Sequence, residues 1–276
     1  MQVTNNGIKS LNSVLDYKQK KKLAKKKRRL KKQIKLLLII LIIISFSLIY
    51  FMTSLSNVKS ITVSGNIYLT DSEIVELTSL DLNSKFLLIN DKKVANTLIA
   101  SPFIADATVE KSGLGDIKVA ITEKKIAGYV YDSETKLYFT DGTYTVLTDE
   151  KLSLIANGPI FIDLSDDMLE KASIAFDDIS MDVIKQMSEV TLHVESYDAE
   201  MLQILMSNDK YLFTSLQATT VLNSYFDLSK YLTASDECIY IDELSGHAYS
   251  KACPWDESEV SEDTIENDEL ETSTEN

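Results

Sequence analysis

Twenty consecutive residues, "LLLIILIIISFSLIYFMTSL" from Leu36 to Leu55, carry no charge, and the next charged side chain is Lys59. As a helix at about 1.5 Å per residue, this run is long enough to cross the roughly 30 Å apolar layer of a bilayer. A cleaved signal peptide is the rival reading. Its apolar region spans roughly 7–15 residues and ends in a small-residue cleavage site, whereas this run is longer and only Ser54 and Ser56 resemble such a site. The run contains no Gly, which excludes a GxxxG dimer face. A permanent anchor is therefore the expectation.

Charge orients the anchor. Residues 1–35 hold thirteen Lys or Arg against the single acid Asp16, while the rest holds fifteen basic and forty-one acidic residues. The overall net charge of −14 hides this division between a basic head and an acidic body. By the positive-inside rule the N-terminus stays in the cytoplasm and the mass of the chain lies outside. The cluster "KQKKKLAKKKRRLKKQIK" has no interleaved aromatics beyond Tyr17. It reads as a topology determinant that also touches anionic lipid, and not as a nucleic-acid site.

Beyond the anchor, "NVKSITVSGNIYLTDSEIVELTSL" predicts a strand with Ile61 and Val63 on one face. Gly65-Asn66 ends it, and a helix follows whose Thr70 and Glu73 form a capping box, with Leu69 and Ile74 as a hydrophobic staple. A second helix is expected from Asp91 to about Ser101, with Val94 and Leu98 on one face and Pro102 barring continuation. In "ADATVEK", Ala105, Ala107 and Val109 alternate with polar residues, and in "DIKVAITEK", Ile117, Val119 and Ile121 do. Gly113 and Gly115 suggest the turn between them.

This βααββ order directly after a single span, "VSGN" at Val63–Asn66 and "SPFIADATVEK" with Pro102, Ala107 and Val109 resemble the POTRA domain of the FtsQ/DivIB family. The turn Ser112-Gly113-Leu114-Gly115 and Ile126 depart from family positions that often hold proline. Both changes fall in turns and leave the core pattern intact. The expected fold class is α+β: one transmembrane helix, a βααββ POTRA domain, and a second, larger, β-rich α+β domain.

The second domain shows aromatic-rich strands, with Asp141-Gly142 marking a hairpin between Tyr138-Phe139 and Tyr144–Val146. A helix is expected after Ser165 with Met168, Leu169 and Ala172, and another from Ser180 with Val183, Ile184 and Met187. "SEVTLHVES" resembles a family strand opening at Ser188, Glu189 and Val190. Strands at Met201–Met206 and Tyr211–Thr214, a helix around Gln217–Phe226 and a final pair in "CIYIDELSGHAYSKAC" complete it. The tail from Pro254 has ten acids and no base, a composition that favours disorder. The divisions are thus a basic cytoplasmic segment (1–35), the span (36–55), the POTRA domain (56–127), the β domain (128–253) and the acidic tail (254–276). No Pro/Gly-rich linker separates the two domains, which favours a fixed arrangement.

Chemistry is scarce. His193, His247, Cys238 and Cys253 form no close ligand pairs, so neither a metal nor another cofactor is expected. S-x-x-K occurs at Ser56–Lys59, Ser133–Lys136 and Ser207–Lys210, but S-D-N and K-T-G are absent. Asp166-Asp167 and Asp177-Asp178 read as helix-capping acids. If Ser245-Gly246 turns a hairpin, Cys238 and Cys253 stand opposite each other within disulfide range. A one-residue slip would part them, and two free thiols are the favoured expectation.

Binding is better supplied, because a terminal strand can lie at a sheet edge open to strand addition. The competing reading makes Tyr240 and Tyr249 ordinary strand residues. The resemblance implies a non-enzymatic division scaffold, concentrated at the septum, whose last strands bind bitopic proteins of the FtsL and FtsB/DivIC type. It directs attention to Tyr240, Ile241, His247, Ala248, Tyr249 and Ser250 as partner-binding positions. A POTRA-type secretion or chaperone adaptor, or a wall-active hydrolase or transferase, are the alternatives.

Overall fold

The computed structural model describes residues 4–196, 198–230, 237–242 and 246–255. The acidic tail, beyond Pro254 and Trp255, and Ser245 of the expected hairpin turn lie outside the described residues. The apolar run sits in one continuous helix, α1 (Thr4–Met52), which also carries the basic segment. No part of the candidate span within Lys25–Met52 is buried against protein. The helix stops three residues short of Leu55. Thr53 turns its hydroxyl back to the Tyr50 carbonyl at 2.9 Å, and Ser54–Ser56 form a single 3-10 turn.

The first folded module is β1 (Ser60–Ser64), α2 (Asp71–Thr78), α3 (Asp91–Ile99), β2 (Ile104–Ser112) and β3 (Asp116–Glu123). The expected βααββ order is what forms. Its sheet runs β1-β3-β2, with β1 parallel and β2 antiparallel to the central β3. The core consists of Ile74, Leu98, Ile117, Val119 and their neighbours. Thr70 and Glu73 make the reciprocal capping box at the start of α2. Gly65 has φ +87°, and a Cβ there would stand 2.1 Å from the Ile121 carbonyl oxygen, so only glycine fits between β1 and β3.

Ala105 corrects the alternation expected for β2. It is exposed and Ile104 is buried instead, because a bulge between Ile104 and Asp106 shifts the register against β3. Strand β3 continues its inward alternation to Glu123, which is only 9% exposed. Its carboxylate accepts the N–H groups of Tyr68 and Leu69 at 2.6 and 2.9 Å and so holds the loop before α2.

The second sheet contains β4 (Ile126–Tyr131), β5 (Thr135–Phe139), β6 (Tyr144–Val146), β7 (Ile160–Phe161), β8 (Met187–His193), β9 (Met201–Met206), β10 (Tyr211–Thr214), β11 (Glu237–Ile241) and β12 (Ala248–Ala252). Their order is β12-β11-β10-β9-β8-β7-β4-β5-β6. Helices α4 (Asp166–Ala175), α5 (Met181–Ile184) and α6 (Tyr225–Leu228) accompany it. One face packs Val190, Leu202, Ile204, Leu212, Ile239 and Ile241 against α4, α5 and the turn Thr219–Ser224. Gly128 lets β4 approach β7, since a Cβ there would lie 2.7 Å from the Phe161 ring.

Two helix expectations need correction. The helix from Ser180 lasts one turn, and Met187 opens β8 opposite Met206, because the spacing of Val183, Ile184 and Met187 does not by itself separate a helix from a turn and strand. Residues Gln217–Phe226 form a 3-10 turn followed by the short α6. There Asn223 accepts the Ser180 N–H at 2.7 Å and donates to the Asp178 carbonyl at 2.8 Å, fixing the segment locally.

The two sheets meet in a packed joint. Tyr68 and Phe103 lie on Ile126, Leu137, Phe139 and Leu154, with the Phe103 and Phe139 rings 5.9 Å apart and edge to face. The Lys125 ammonium bonds the carbonyls of Phe176, Asp177 and Ile179 just past the end of α4. Lys151 reaches across to Glu73 at 2.5 Å. That hydrogen bond, with the Thr70 N–H, lowers the Glu73 carboxyl from an ordinary 4.5 to about 2.

A carboxyl depressed by folding contributes stability above its unfolded value and loses it as pH falls through the folded one. The Glu73 contribution is therefore present above pH 4.5 and vanishes towards pH 2. Because the pair is partly exposed, Glu73→Gln is expected to cost only about 0.5–1 kcal/mol at neutral pH. Denaturant midpoints of the two proteins should converge at pH 2; a gap that persisted there would refute the assignment.

Candidate functional site

The candidate site is the outer edge of the large sheet. Strand β12 is last in the sheet order and pairs only with β11 among the described residues. The ladder matches Glu237 with Ala252, Cys238 with Lys251, Ile239 with Ser250, Tyr240 with Tyr249 and Ile241 with Ala248. The Asp242 N–H donates to the His247 carbonyl at 2.9 Å, which fixes the phase of the ladder. Antiparallel bonding alternates, so Tyr249 and Lys251 spend their backbone groups on β11. Ala248, Ser250 and Ala252 point their N–H and C=O groups away from the sheet, in the pattern a further strand can extend.

The cysteines are joined. Cys238 and Cys253 form a disulfide with their Cα atoms 5.1 Å apart, which corrects the expectation of two free thiols. The expected geometry also changes, since Cys238 faces Lys251 and Cys253 follows the end of β12. The turn closes between Asp242 and His247, so the ladder sits two residues from the register that Ser245-Gly246 implied. A shift of two leaves every side chain on its expected face. The bond thus survives a register that sequence reasoning did not find.

Side chains on the two faces of the edge differ. Ala248 packs towards the helix-covered core, and Ile241 belongs to that core. On the opposite face, rings run across the sheet: His193 stands 4.7 Å from Phe213, Phe213 stacks on Tyr240 at 4.6 Å, and Tyr240 stacks on Tyr249 at 5.8 Å. The His193 ring is half-buried against Phe213 and 3.0 Å from Glu195. The Lys251 ammonium lies 5.9 Å from the Tyr240 ring centre. Just past the disulfide, Trp255 packs on Tyr211 at 4.7 Å.

Of the six positions singled out from sequence, Tyr240 and Ile241 are buried on β11. Ala248 is half-buried, whereas His247, Tyr249 and Ser250 are exposed. Tyr249 keeps 51% of its surface in solvent. The six thus divide into an exposed rim and the layer that supports it. Sequence reading missed Ala252, the third outward backbone unit, and Phe213, on which Tyr240 rests. The alternation of "AYSKA" could have flagged Ala252; nothing local marks Phe213.

Comparison with known proteins bears on the first module and on the chain's relatives. Residues 56–124 match the model of the POTRA domain, FtsQ-type. The protein described as "Cell division protein DivIB" from Erysipelothrix rhusiopathiae (strain Fujisawa) is 26% identical over 231 residues, covering 76% of this chain and 81% of that one. Its counterpart from Listeria monocytogenes serovar 1/2a is 30% identical over 162 residues, covering 58% and 60% respectively. The Bacillus anthracis DivIB is 25% identical over 172 residues, covering 62% and 64%. The chain therefore matches four-fifths of the first of these relatives and somewhat under two thirds of the other two. Among solved structures, the major extracytoplasmic domain of DivIB from Geobacillus stearothermophilus aligns over 41% of this chain and 99% of its own, with 14% identity and a TM-score of 0.32.

Proposed function

We propose that this chain, which belongs to the FtsQ/DivIB family of bacterial cell-division proteins, is a non-enzymatic scaffold that holds other septal membrane proteins on the outer side of the membrane. The N-terminal basic segment faces the cytoplasm and both sheets lie outside, an orientation supported by the charge asymmetry around the anchor. The joined cysteines fit the same side, because disulfides persist in oxidising compartments.

The observation that carries the reading is the edge of β12, open among the described residues. An extended segment of a partner adds to Ala248, Ser250 and Ala252 through main-chain hydrogen bonds, while Tyr249 and Lys251 meet its side chains on one flank. The small residues Ala248, Ser250 and Ala252 leave room on the other flank. Bitopic proteins of the FtsL and FtsB/DivIC type are the proposed partners. Sharing a membrane raises the effective concentration of each segment, so a short augmenting strand can suffice.

The test is a tagged full-length chain in its own bacterium, scored for septal localisation and for co-purification of small single-span coiled-coil proteins. Septal bands with such proteins in stoichiometric amounts are expected. Uniform membrane distribution with none recovered would end the scaffold reading.

A further inference from the structure

The end of the POTRA-type module nearest the anchor is built from two loops, and both are fastened to the residues that leave the helix. In the first, the Lys85 ammonium donates to the Thr53 carbonyl at 3.5 Å, Ser56 Oγ at 3.0 Å and Asn57 Oδ1 at 2.7 Å. Val58 N–H also bonds the Ser84 carbonyl at 2.9 Å. The second is the β2–β3 turn, where the Lys59 N–H bonds the Gly115 carbonyl at 2.8 Å. Neither loop can move far from Thr53–Lys59 without breaking these bonds.

Both loops display leucine to solvent. Leu82 and Leu87 are each 57% exposed, Leu88 71% and Leu114 81%. Leu55, also exposed, follows the end of the anchor helix by three residues. The helix ends at Met52 and the apolar run continues through Leu55, so that Leu55 closes a 20-residue run of about the length of the bilayer core. The leucines thus sit on loops fastened to Thr53–Lys59, the stretch that follows the outer end of this run.

Charge at this end is arranged in the same sense. Lys59, Lys92 and Lys93 are exposed. Of the nearby acids, Asp91 is paired with Lys111 at 3.2 Å, while Asp116 and Asp81 accept from neutral donors and keep their charge, so these three exposed lysines face two uncompensated carboxylates. Leucines that enter the interface, flanked by lysines that reach headgroup phosphates, are the pattern of a surface that lies on an anionic bilayer.

We infer that this end of the module, through Leu82, Leu87, Leu88 and Leu114, rests in the outer leaflet of the membrane that the anchor spans. Its partner is lipid. The contact gives the module a second attachment beside the helix, so that it cannot swing about Thr53, and it fixes the direction in which β1 leads away from the membrane. The inference rests on the anchor being embedded, but not on any protein partner.

The experiment uses the full chain in vesicles of phosphatidylethanolamine and phosphatidylglycerol, with acyl chains brominated either close to the headgroup, to report on the loops, or near the chain ends, to report on the anchor. Trp255, the sole tryptophan, is first changed to Phe. Single tryptophans are then placed as Leu88→Trp, Leu114→Trp, Ile67→Trp and Ile44→Trp. Ile67 is as exposed as the leucines, at 75%, but follows the far end of β1. At both loop positions, blue-shifted emission and roughly twofold quenching by the brominated lipid are expected, as for a side chain in the acyl boundary.

Ile67→Trp should emit as in water and remain unquenched. Loop tryptophans that behave like Ile67→Trp, while Ile44→Trp is quenched, would overturn the inference and leave the anchor standing. Absence of quenching at Ile44→Trp as well would overturn both. Loss of protein partners with quenching retained would count against the scaffold reading alone.

Discussion

Ser250→Pro is expected to abolish the proposed strand addition by a partner while leaving both sheets folded. The reason is the phase of the β11–β12 ladder. Asp242 bonds His247, so the alternation carries the next inward bonds to Tyr249 and Lys251 and turns the Ser250 N–H outward. Proline removes that donor and sets its ring where an incoming strand would lie. An edge strand tolerates proline where the lost N–H faces solvent. The partner carbonyl left without a donor costs roughly 1–3 kcal/mol, or about one to two orders of magnitude in Kd. Tyr249→Pro, one residue earlier, removes an inward ladder bond and should loosen the hairpin itself. The pair of variants separates binding from folding: circular dichroism reports the fold, and titration with the purified outer part of a partner reports affinity. Wild-type affinity in Ser250→Pro would show that partners do not extend this edge.

Much of this architecture can be read from local pattern. The capping box at Thr70 and Glu73, the Val94/Leu98 face and the alternation of Ile117, Val119 and Ile121 each depend on residues within one turn or strand, and each forms as expected. What local pattern does not reveal is register. The bulge after Ile104 displaces Ala105 from the buried face, although its neighbours alternate faultlessly. The turn between Asp242 and His247 displaces the terminal hairpin by two residues. In both cases the deciding term is how two distant or turned segments meet, which no single run of residues records. The edge could be anticipated from its place near the chain end. Its supporting layer could not, because Phe213 reaches Tyr240 only through the parallel pairing of β10 with β11.

The joint shows the same limit. Lys124 and Lys125 look like ordinary surface lysines in sequence. In the fold the first pairs with Asp141 at 2.7 Å and the second gathers carbonyls past α4. Burial lowers the Lys125 ammonium from its ordinary value, although Asp177 and Asp178 oppose that shift. Together with the Lys151–Glu73 pair and the Phe103–Phe139 contact, these bonds resist rotation between the sheets. Under the scaffold proposal a rigid joint would matter, because an edge held at a fixed height would meet tethered partners at a fixed distance from the bilayer.

Breaking the Cys238–Cys253 bond is expected to have the largest effect on stability of any single covalent change here. Strand β12 has one neighbour among the described residues, and four of its five side chains are exposed, so little burial holds it to the sheet. The bond closes a loop of 15 residues. A loop of that length restrains the unfolded chain by about 3 kcal/mol. Reductant should therefore lower the denaturant midpoint of the wild type, but leave that of Cys238→Ala/Cys253→Ala, already low, unchanged. Hydrogen exchange should locate the loss, with the Tyr249 and Lys251 amides losing protection before those of β9 and β10. Partner affinity should fall in parallel, because an incoming strand would then have to order the edge before extending it. Equal midpoints and equal exchange with and without reductant would mean that β12 is held by its ladder and the Tyr240–Tyr249 stack alone. The edge would then be preorganised whatever the redox state around it.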